Sequence, residues 1–276
     1  MDFRLQFAPL LVLCGLVCPA LGDGLIFQLP PDGAFVEFRG DGAAEARMTL
    51  PKEVADKLPP ESQTQLNRKL KLHYTVTLSS VGKLTRAGQP CRWIELRMKS
   101  EGSMDGGKTE AVGDHILKVL VPEKYLKRGE DPLDHTILTF FNKKATAEPG
   151  FNRIRYELER VRTVFPEPFQ AIRQLPNMTI KTPAGTFADC EVIAGETDFD
   201  RPLLGEGRWE FENDWQIALH KDAPFGVVEV RCESAGQEIA RRATSNLTTK
   251  YALTLSRVGT GAKSELAVME QGDAEK

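Results

Sequence analysis

Leu72-His73-Tyr74-Thr75-Val76-Thr77-Leu78-Ser79 decides the fold class, because every even-numbered residue in it is apolar and every odd-numbered one polar. Side chains along a β-strand point alternately to opposite faces, so this run predicts a strand with one face on a core and the other in water. Trp215-Gln216-Ile217-Ala218-Leu219-His220 repeats the pattern, and Val228-Glu229-Val230-Arg231-Cys232-Glu233 does so again. Lys221-Asp222-Ala223-Pro224 lies between these two runs, and a short polar connection of that kind predicts an antiparallel hairpin. Residues 251–256 supply another alternating strand, after a loop read over residues 234–243. Further strands are predicted at residues 34–39, 92–99, 115–121, 178–181, 187–194 and 208–211. Strands that follow one another through short turns argue for an antiparallel meander and against a βαβ sheet. The fold class is therefore mostly β (α+β), one antiparallel β domain over residues 23–259, with a two-lobed alternative that splits near Pro149-Gly150.

Helical signals are few. Residues 51–58 predict a short helix that Pro51 opens and Pro59-Pro60 closes. Residues 122–127 and 132–140 suggest two more short pieces. Residues 152–164 suit either state. Ile154, Leu158, Val161 and Phe165 fall at helical spacing with Arg153–Glu157 and Arg155–Glu159 at i,i+4, while Ile154, Tyr156 and Leu158 fit a strand; the reading leans to helix. Tyr74–Gly82 and Tyr251–Gly259 agree at six of nine positions. That agreement fits either a duplicated sheet unit or the narrow residue choice of two strands that end in glycine turns. Residues 260–276 are small, polar and acidic, and are expected to form a flexible tail.

The first residues point to export. Arg4 precedes an apolar run over residues 7–17, and Ala20-Leu21-Gly22 offers the small residues a signal peptidase needs. Residues 1–22 are expected to be a signal peptide, cleaved near Gly22, with an uncleaved N-terminal anchor as the alternative. Lipidation at Cys14 or Cys18 is disfavoured because Leu13 and Val17 stand where a small residue is required. No later stretch is long and apolar enough to span a bilayer, which predicts an exported, non-transmembrane mature protein in the periplasm, on the cell surface or outside. The formal net charge of −3 gives no basic footprint for nucleic acid. Cys91, Cys190 and Cys232 remain after cleavage, and either one disulfide among them or three buried thiols would fit an oxidising compartment.

Several motifs resemble catalytic or metal sites and fail on physical grounds. Gly102-Ser103-Met104-Asp105-Gly106-Gly107-Lys108-Thr109 satisfies the phosphate-loop pattern, but a strand instead of a helix follows it, so a hairpin turn is expected. Asp114-His115 and Asp134-His135 bring together residue types that ligate metals, without the i,i+4 histidine pair that would put two ligands on one helix face; they are candidates only for a site assembled in space. His73 and His220 fall on polar strand faces. Glu196-Thr197-Asp198-Phe199-Asp200-Arg201-Pro202 reads as an acidic loop in which Arg201 and Pro202 spoil an EF-type calcium geometry. No GxSxG elbow is present. Asn177-Met178-Thr179 and Asn246-Leu247-Thr248 match glycosylation acceptors, relevant only in a eukaryotic secretory pathway. No cofactor is implied. Tyr74, Trp93, Trp215, Phe225 and Tyr251 on strand faces are candidates to line an apolar ligand cavity, or else to form an ordinary core.

Thr182-Pro183-Ala184-Gly185-Thr186-Phe187-Ala188-Asp189-Cys190 resembles the TPAGTF hairpin of uncharacterised exported bacterial proteins with a lipoprotein-carrier-like half-barrel. Trp215 and the segment from His220 through Pro224-Phe225-Gly226 to Val228 are similar to a strand pair of the same group. The resemblance covers about 50 residues of the C-terminal half. It implies a long, curved antiparallel sheet with helices on its inner side, sometimes holding lipid or a lipoprotein chain. The expectation is thus an exported non-enzymatic protein that binds an apolar or lipid-like ligand, or an envelope protein, on the concave face of a sheet. Two alternatives stand beside it: an extracytoplasmic metal-dependent hydrolase built on Asp114, His115, Asp134 and His135, and a structural envelope component that assembles through strand edges.

Overall fold

The computed structural model describes residues 26–50, 67–130, 132, 135–142, 170–203, 207–240 and 243–266. They form ten strands: β1 (Phe35–Thr49), β2 (Asn67–Arg86), β3 (Gln89–Met104), β4 (Glu110–Pro122), β5 (Leu138–Asn142), β6 (Gln170–Thr182), β7 (Gly185–Leu203), β8 (Gly207–Leu219), β9 (Val227–Ala240) and β10 (Ala243–Gly259). All ten lie in one sheet in the order β5-β4-β3-β2-β1-β10-β9-β8-β7-β6, and every neighbouring pair is antiparallel. Two five-strand meanders therefore meet at β1 and β10. The sheet is open, with β5 and β6 at its edges among the described residues. The mostly β class, the antiparallel meander and the β8–β9 hairpin are as the alternation predicts.

The strands are far longer than the alternating runs that announce them. Residues 196–202, read as an acidic loop, continue β7; of residues 234–243, read as a loop, 234–240 belong to β9 and Ala243 begins β10. Residues 138–140, expected within a helix, begin β5, which pairs with β4 through Leu138 opposite Leu120. Of the short helix expected at 122–127, a single 3-10 turn forms at Glu123–Tyr125. The helices expected at 51–58 and 152–164 and the boundary at 149–150 lie outside the described residues. The phosphate-loop mimic is the β3–β4 hairpin turn: Asp105 and Gly106 have φ of 50° and 78°, the left-handed pair of a tight hairpin. Asp105 locks that turn to β2, since its carboxylate accepts the Lys69 backbone N–H at 2.9 Å and an Arg68 hydrogen bond at 2.9 Å.

The seam explains the composition of β1. Its even-numbered side chains face the core, and after Val36 and Phe38 they shrink to Gly40, Gly42, Ala44 and Ala46. A Cβ on Gly40 would stand 1.7 Å from the Ala252 carbonyl oxygen of β10, and one on Gly42 would stand 2.8 Å from the Tyr74 ring. Tyr74 on β2 pairs with Gly40 and Tyr251 on β10 pairs with Gly42, so two large rings fill the room that the glycines leave. This accounts for the likeness of Tyr74–Gly82 to Tyr251–Gly259: both strands flank β1. Had a five-strand unit been repeated across the sheet, β10 would correspond to β5 and not to β2.

Replacing Gly40 with Val should lower the unfolding free energy by about 1–3 kcal/mol or more, the usual range for overpacking. Ala43→Val on the exposed face of the same strand should change it by less than about 0.5 kcal/mol. Urea unfolding followed by tryptophan fluorescence reads both.

Candidate functional site

Of the five aromatic residues proposed from sequence, three come together. The Tyr74 and Tyr251 rings meet edge-on at 6.1 Å, and Trp215 meets Tyr251 at 6.0 Å. Trp215 also donates from Nε1 to Thr197 Oγ1 at 3.1 Å, across the β7–β8 pairing. Little of the three rings meets solvent, since Tyr74 is 3%, Trp215 4% and Tyr251 7% exposed, but Trp215 and Tyr251 border an open groove. Phe225 is fully buried in the β8–β9 turn, where Phe27 N donates to its carbonyl at 2.8 Å. Trp93 lies apart from all of these, with Ile116, Leu138 and Leu266. Of the five, Trp215 and Tyr251 reach a groove, Tyr74 and Phe225 pack in the core and Trp93 sits in a separate satellite.

The cysteines fare similarly. Cys91, Cys190 and Cys232 are buried and free, on β3, β7 and β9. No two of these strands are neighbours in the sheet, and the three side chains are buried thiols in this structure. Burial pushes the Cys232 thiol up to about 12, while the Tyr251 hydroxyl beside it works the other way. Burial also raises Cys190.

The metal-type doublets do not converge. Asp114 and His115 are adjacent on β4, so alternation sends their side chains to opposite faces. The Asp114 carboxylate is held by Arg97 through two hydrogen bonds of 3.1 and 2.9 Å. His135 stacks on Tyr125 at 3.6 Å and approaches Glu130 at 3.2 Å, and Asp134 lies outside the described residues. Among the described residues, no three His, Cys, Asp or Glu side chains gather in a metal-binding group.

Sequence reasoning missed the charged face. Pairing register puts Arg173, Ala194, Gln216, Arg231, Ala252, Asp41 and His73 in one row across β6, β7, β8, β9, β10, β1 and β2. Directly paired residues share a face, and this row lies opposite the face of Tyr74, Trp215 and Tyr251. A groove of about 1110 Å³ touches the whole row; Asp214, Glu229, Glu233, Lys71 and Lys250 line it together with the apolar Leu72, Leu175, Trp215 and Tyr251. In a flat sheet of ~4.8 Å strand spacing, β6 and β10 would stand ~19 Å apart, yet they approach within 8 Å. The sheet rolls toward the groove. The His73, Arg231, Arg173 and Lys250 side chains there each face an opposite partner while staying more than half exposed: His73 with Asp41 at 2.5 Å, Arg231 with Glu229 at 2.8 Å, Arg173 with Glu196 at 3.5 Å, and Lys250 with Glu233.

Beside the groove, β7 and β8 set like charges directly opposite one another: Glu196 with Asp214, Asp198 with Glu212, and Asp200 with Glu210. Arg208 answers part of this, bonding Asp200 and lying 2.9 Å from Glu210. The signal was present in the sequence as acids at alternate positions of 196–200 and 210–214, but only the pairing register makes them neighbours.

No protein-family model matches the chain, and no curated protein matches it. Among solved structures it is similar to a candidate lipoprotein from Parabacteroides distasonis, with a TM-score of 0.29 and 8% identity, over 86% of this chain and 99% of that one. It is similar also to a candidate exported protein with a YmcC-like fold from Bacteroides fragilis, with a TM-score of 0.28 and 8% identity, over 86% and 100%. Likenesses of this degree do not bear on what the chain does.

Two measurements check this geometry. Iodoacetamide at pH 8 should leave Cys232 unmodified in the native protein and alkylate it in urea, as peptide mapping would show, because the thiolate is the reactive form. Glu212→Lys should raise stability by about 0.2–1 kcal/mol, by replacing a cross-strand repulsion with an attraction, and calorimetry should show a smaller gain in high salt.

Proposed function

We propose that this chain is an exported protein that works by non-covalent capture, holding a charge-bearing envelope partner in the groove on the hollow face of its sheet. The single observation that carries the reading is the division of labour between the two faces. The Tyr74, Trp215 and Tyr251 rings are nearly all withdrawn from solvent, while the hollow face offers charged heads that are largely in water: Arg173, Arg231, Lys250, His73 and Asp41. Exposed ion pairs are worth only ~0–1 kcal/mol each, so a partner of mixed charge can exchange them for its own at little cost. Such contacts contribute orientation and association rate more than raw affinity. A polypeptide segment that alternates charged and apolar side chains suits a lining that sets these charges beside Leu72, Leu175, Trp215 and Tyr251. Export rests on the N-terminal pattern of Arg4, the apolar run and Ala20-Leu21-Gly22.

The test has two arms. The full chain, expressed in a bacterium, should appear outside the cytoplasm with an intact mass that corresponds to cleavage near Gly22; retention in the cytoplasm at full mass overturns the export half. A photo-crosslinker placed at Thr254 in the groove should yield a discrete adduct with one envelope polypeptide, which 0.5 M salt or the pair Arg173→Glu and Arg231→Glu abolishes. Extraction of one lipid per chain from the purified native protein overturns the polar-partner half.

A further inference from the structure

The face opposite the aromatic trio holds a second construction, apart from the groove. On β3 and β4, Glu95 and Lys118 are directly paired in register, and each is only 4% exposed. Buried charges persist in folded proteins when they are hydrogen-bonded. Here the bonds go to a segment outside the sheet. After β10 the chain turns at Gly259-Thr260-Gly261, with Gly261 at φ +81°. Ala262 N then donates to Gly33 O at 2.9 Å, and the chain crosses to β3 and β4. There the Glu95 carboxylate accepts the Ser264 hydroxyl at 2.7 Å and the backbone N–H of Glu265 and Leu266 at 3.0 and 3.3 Å. Lys118 Nζ donates to Ser264 Oγ at 2.6 Å and to the Leu266 carbonyl at 3.1 Å. Arg97 pairs with Glu265, and Leu266 is buried with Trp93, Ile116 and Leu138. Residues 260–266, expected to fray, are held at each of these points.

We propose that this face is a recognition site for an extended segment of the form Ser-acidic-Leu, filled in cis by residues 264–266, and that it accepts the same segment from a second copy of the chain. The site reads its ligand as a peptide-binding site does. One carboxylate takes two successive backbone N–H groups and a hydroxyl, one ammonium takes a carbonyl, an arginine selects the acid, and an apolar pocket selects the leucine. The occupant is specified by what already sits there: an identical chain carries the segment that fits. The hinge is glycine-flanked and no residue of the segment joins a β-ladder, so release breaks only the contacts named above and leaves the sheet whole. Exchange of a terminal element between copies needs no new interface chemistry.

The test uses the full chain and an amidated, fluorescent peptide of residues 260–266. Leu266→Asp should unseat the resident segment, and the peptide should then bind saturably by fluorescence polarisation, whereas the unaltered chain should bind it at least about tenfold more weakly because its site is filled. Adding Lys118→Met to Leu266→Asp should weaken peptide binding by at least about tenfold. In trans, a copy with Leu266→Asp (site intact, segment spoiled) mixed with a copy carrying Glu95→Lys (site spoiled, segment intact) should form a one-to-one complex by light scattering, while each copy alone stays monomeric. Circular dichroism confirms that each variant keeps its sheet. If well-folded Leu266→Asp protein binds no peptide, or binds it equally with Lys118→Met, the segment is a fixed part of the fold and the proposal fails. If the peptide binds but the mixed copies stay apart, exchange between copies fails.

Discussion

Pairing between the first and last strands holds the sheet together. Phe35 faces Gly259 and Thr49 faces Thr244, so the contact that joins the two meanders closes almost the whole chain into a loop. Such non-local pairing is entropically costly to nucleate and slow to form. Until β10 arrives, the N-terminal meander presents the entire 15-residue edge of β1, the kind of unpaired edge that invites wrong partners. The small side chains on that strand meet this constraint from the native side. Gly40 lets the β10 backbone come close, and the Tyr74 and Tyr251 rings close over the space, so correct pairing is rewarded by packing that a slipped register would lose.

The two buried charge clusters fasten non-strand segments to this sheet. Arg92, 3% exposed, donates to Glu123 Oε1 at 2.7 Å, Pro30 O at 3.0 Å and Ser80 Oγ at 2.9 Å. That ties the segment before β1 and the turn after β4 to the β2 bulge between Ser80 and Gly82. Glu95 and Lys118 do the same for the segment after β10. Both ends of the described chain are thus pinned near the strands they must feed into the seam. Leaving a buried charge unmatched costs far more than making its bond gains, so each cluster acts as a requirement on where its segment lies. Burial pushes the Lys118 ammonium below its ordinary value, with Glu95 opposing the shift, as expected where desolvation is incompletely repaid.

Strand identity was legible wherever one face was apolar and the other polar, as at 72–79 and 228–233. It was illegible where neighbours changed the meaning of a residue. Residues 196–202 read as a loop because they are acidic, although their alternation is intact; it is pairing with β8 that makes them a strand. Glu95 and Arg97 fall at alternate positions of the strand predicted over 92–99, and only the return of residues 262–266 buries the first of them. Tyr74, Trp215 and Tyr251 read equally as cavity or core, because periodicity reports which side a residue faces and says nothing of what fills the space opposite. The charged groove was invisible for the same reason: Arg173 and His73 are 100 positions apart, and only the roll of the sheet puts them on one hollow.

That roll also decides which face can do work. A sheet with an apolar hollow must fill it or hold something oily in it; a sheet with a charged hollow needs neither, because water satisfies its lining until a partner comes. Ion pairs exposed on both sides, such as Lys250 with Glu233, cost little to separate. The acid ladder of β7 and β8 flanks the basic residues Arg173 and Arg231, so the field across the groove changes sign over a few strands. A field of that shape orients a dipolar chain before contact. In the capture we propose, selectivity would arise from the pattern of charge along the partner, matched to a sheet of fixed register.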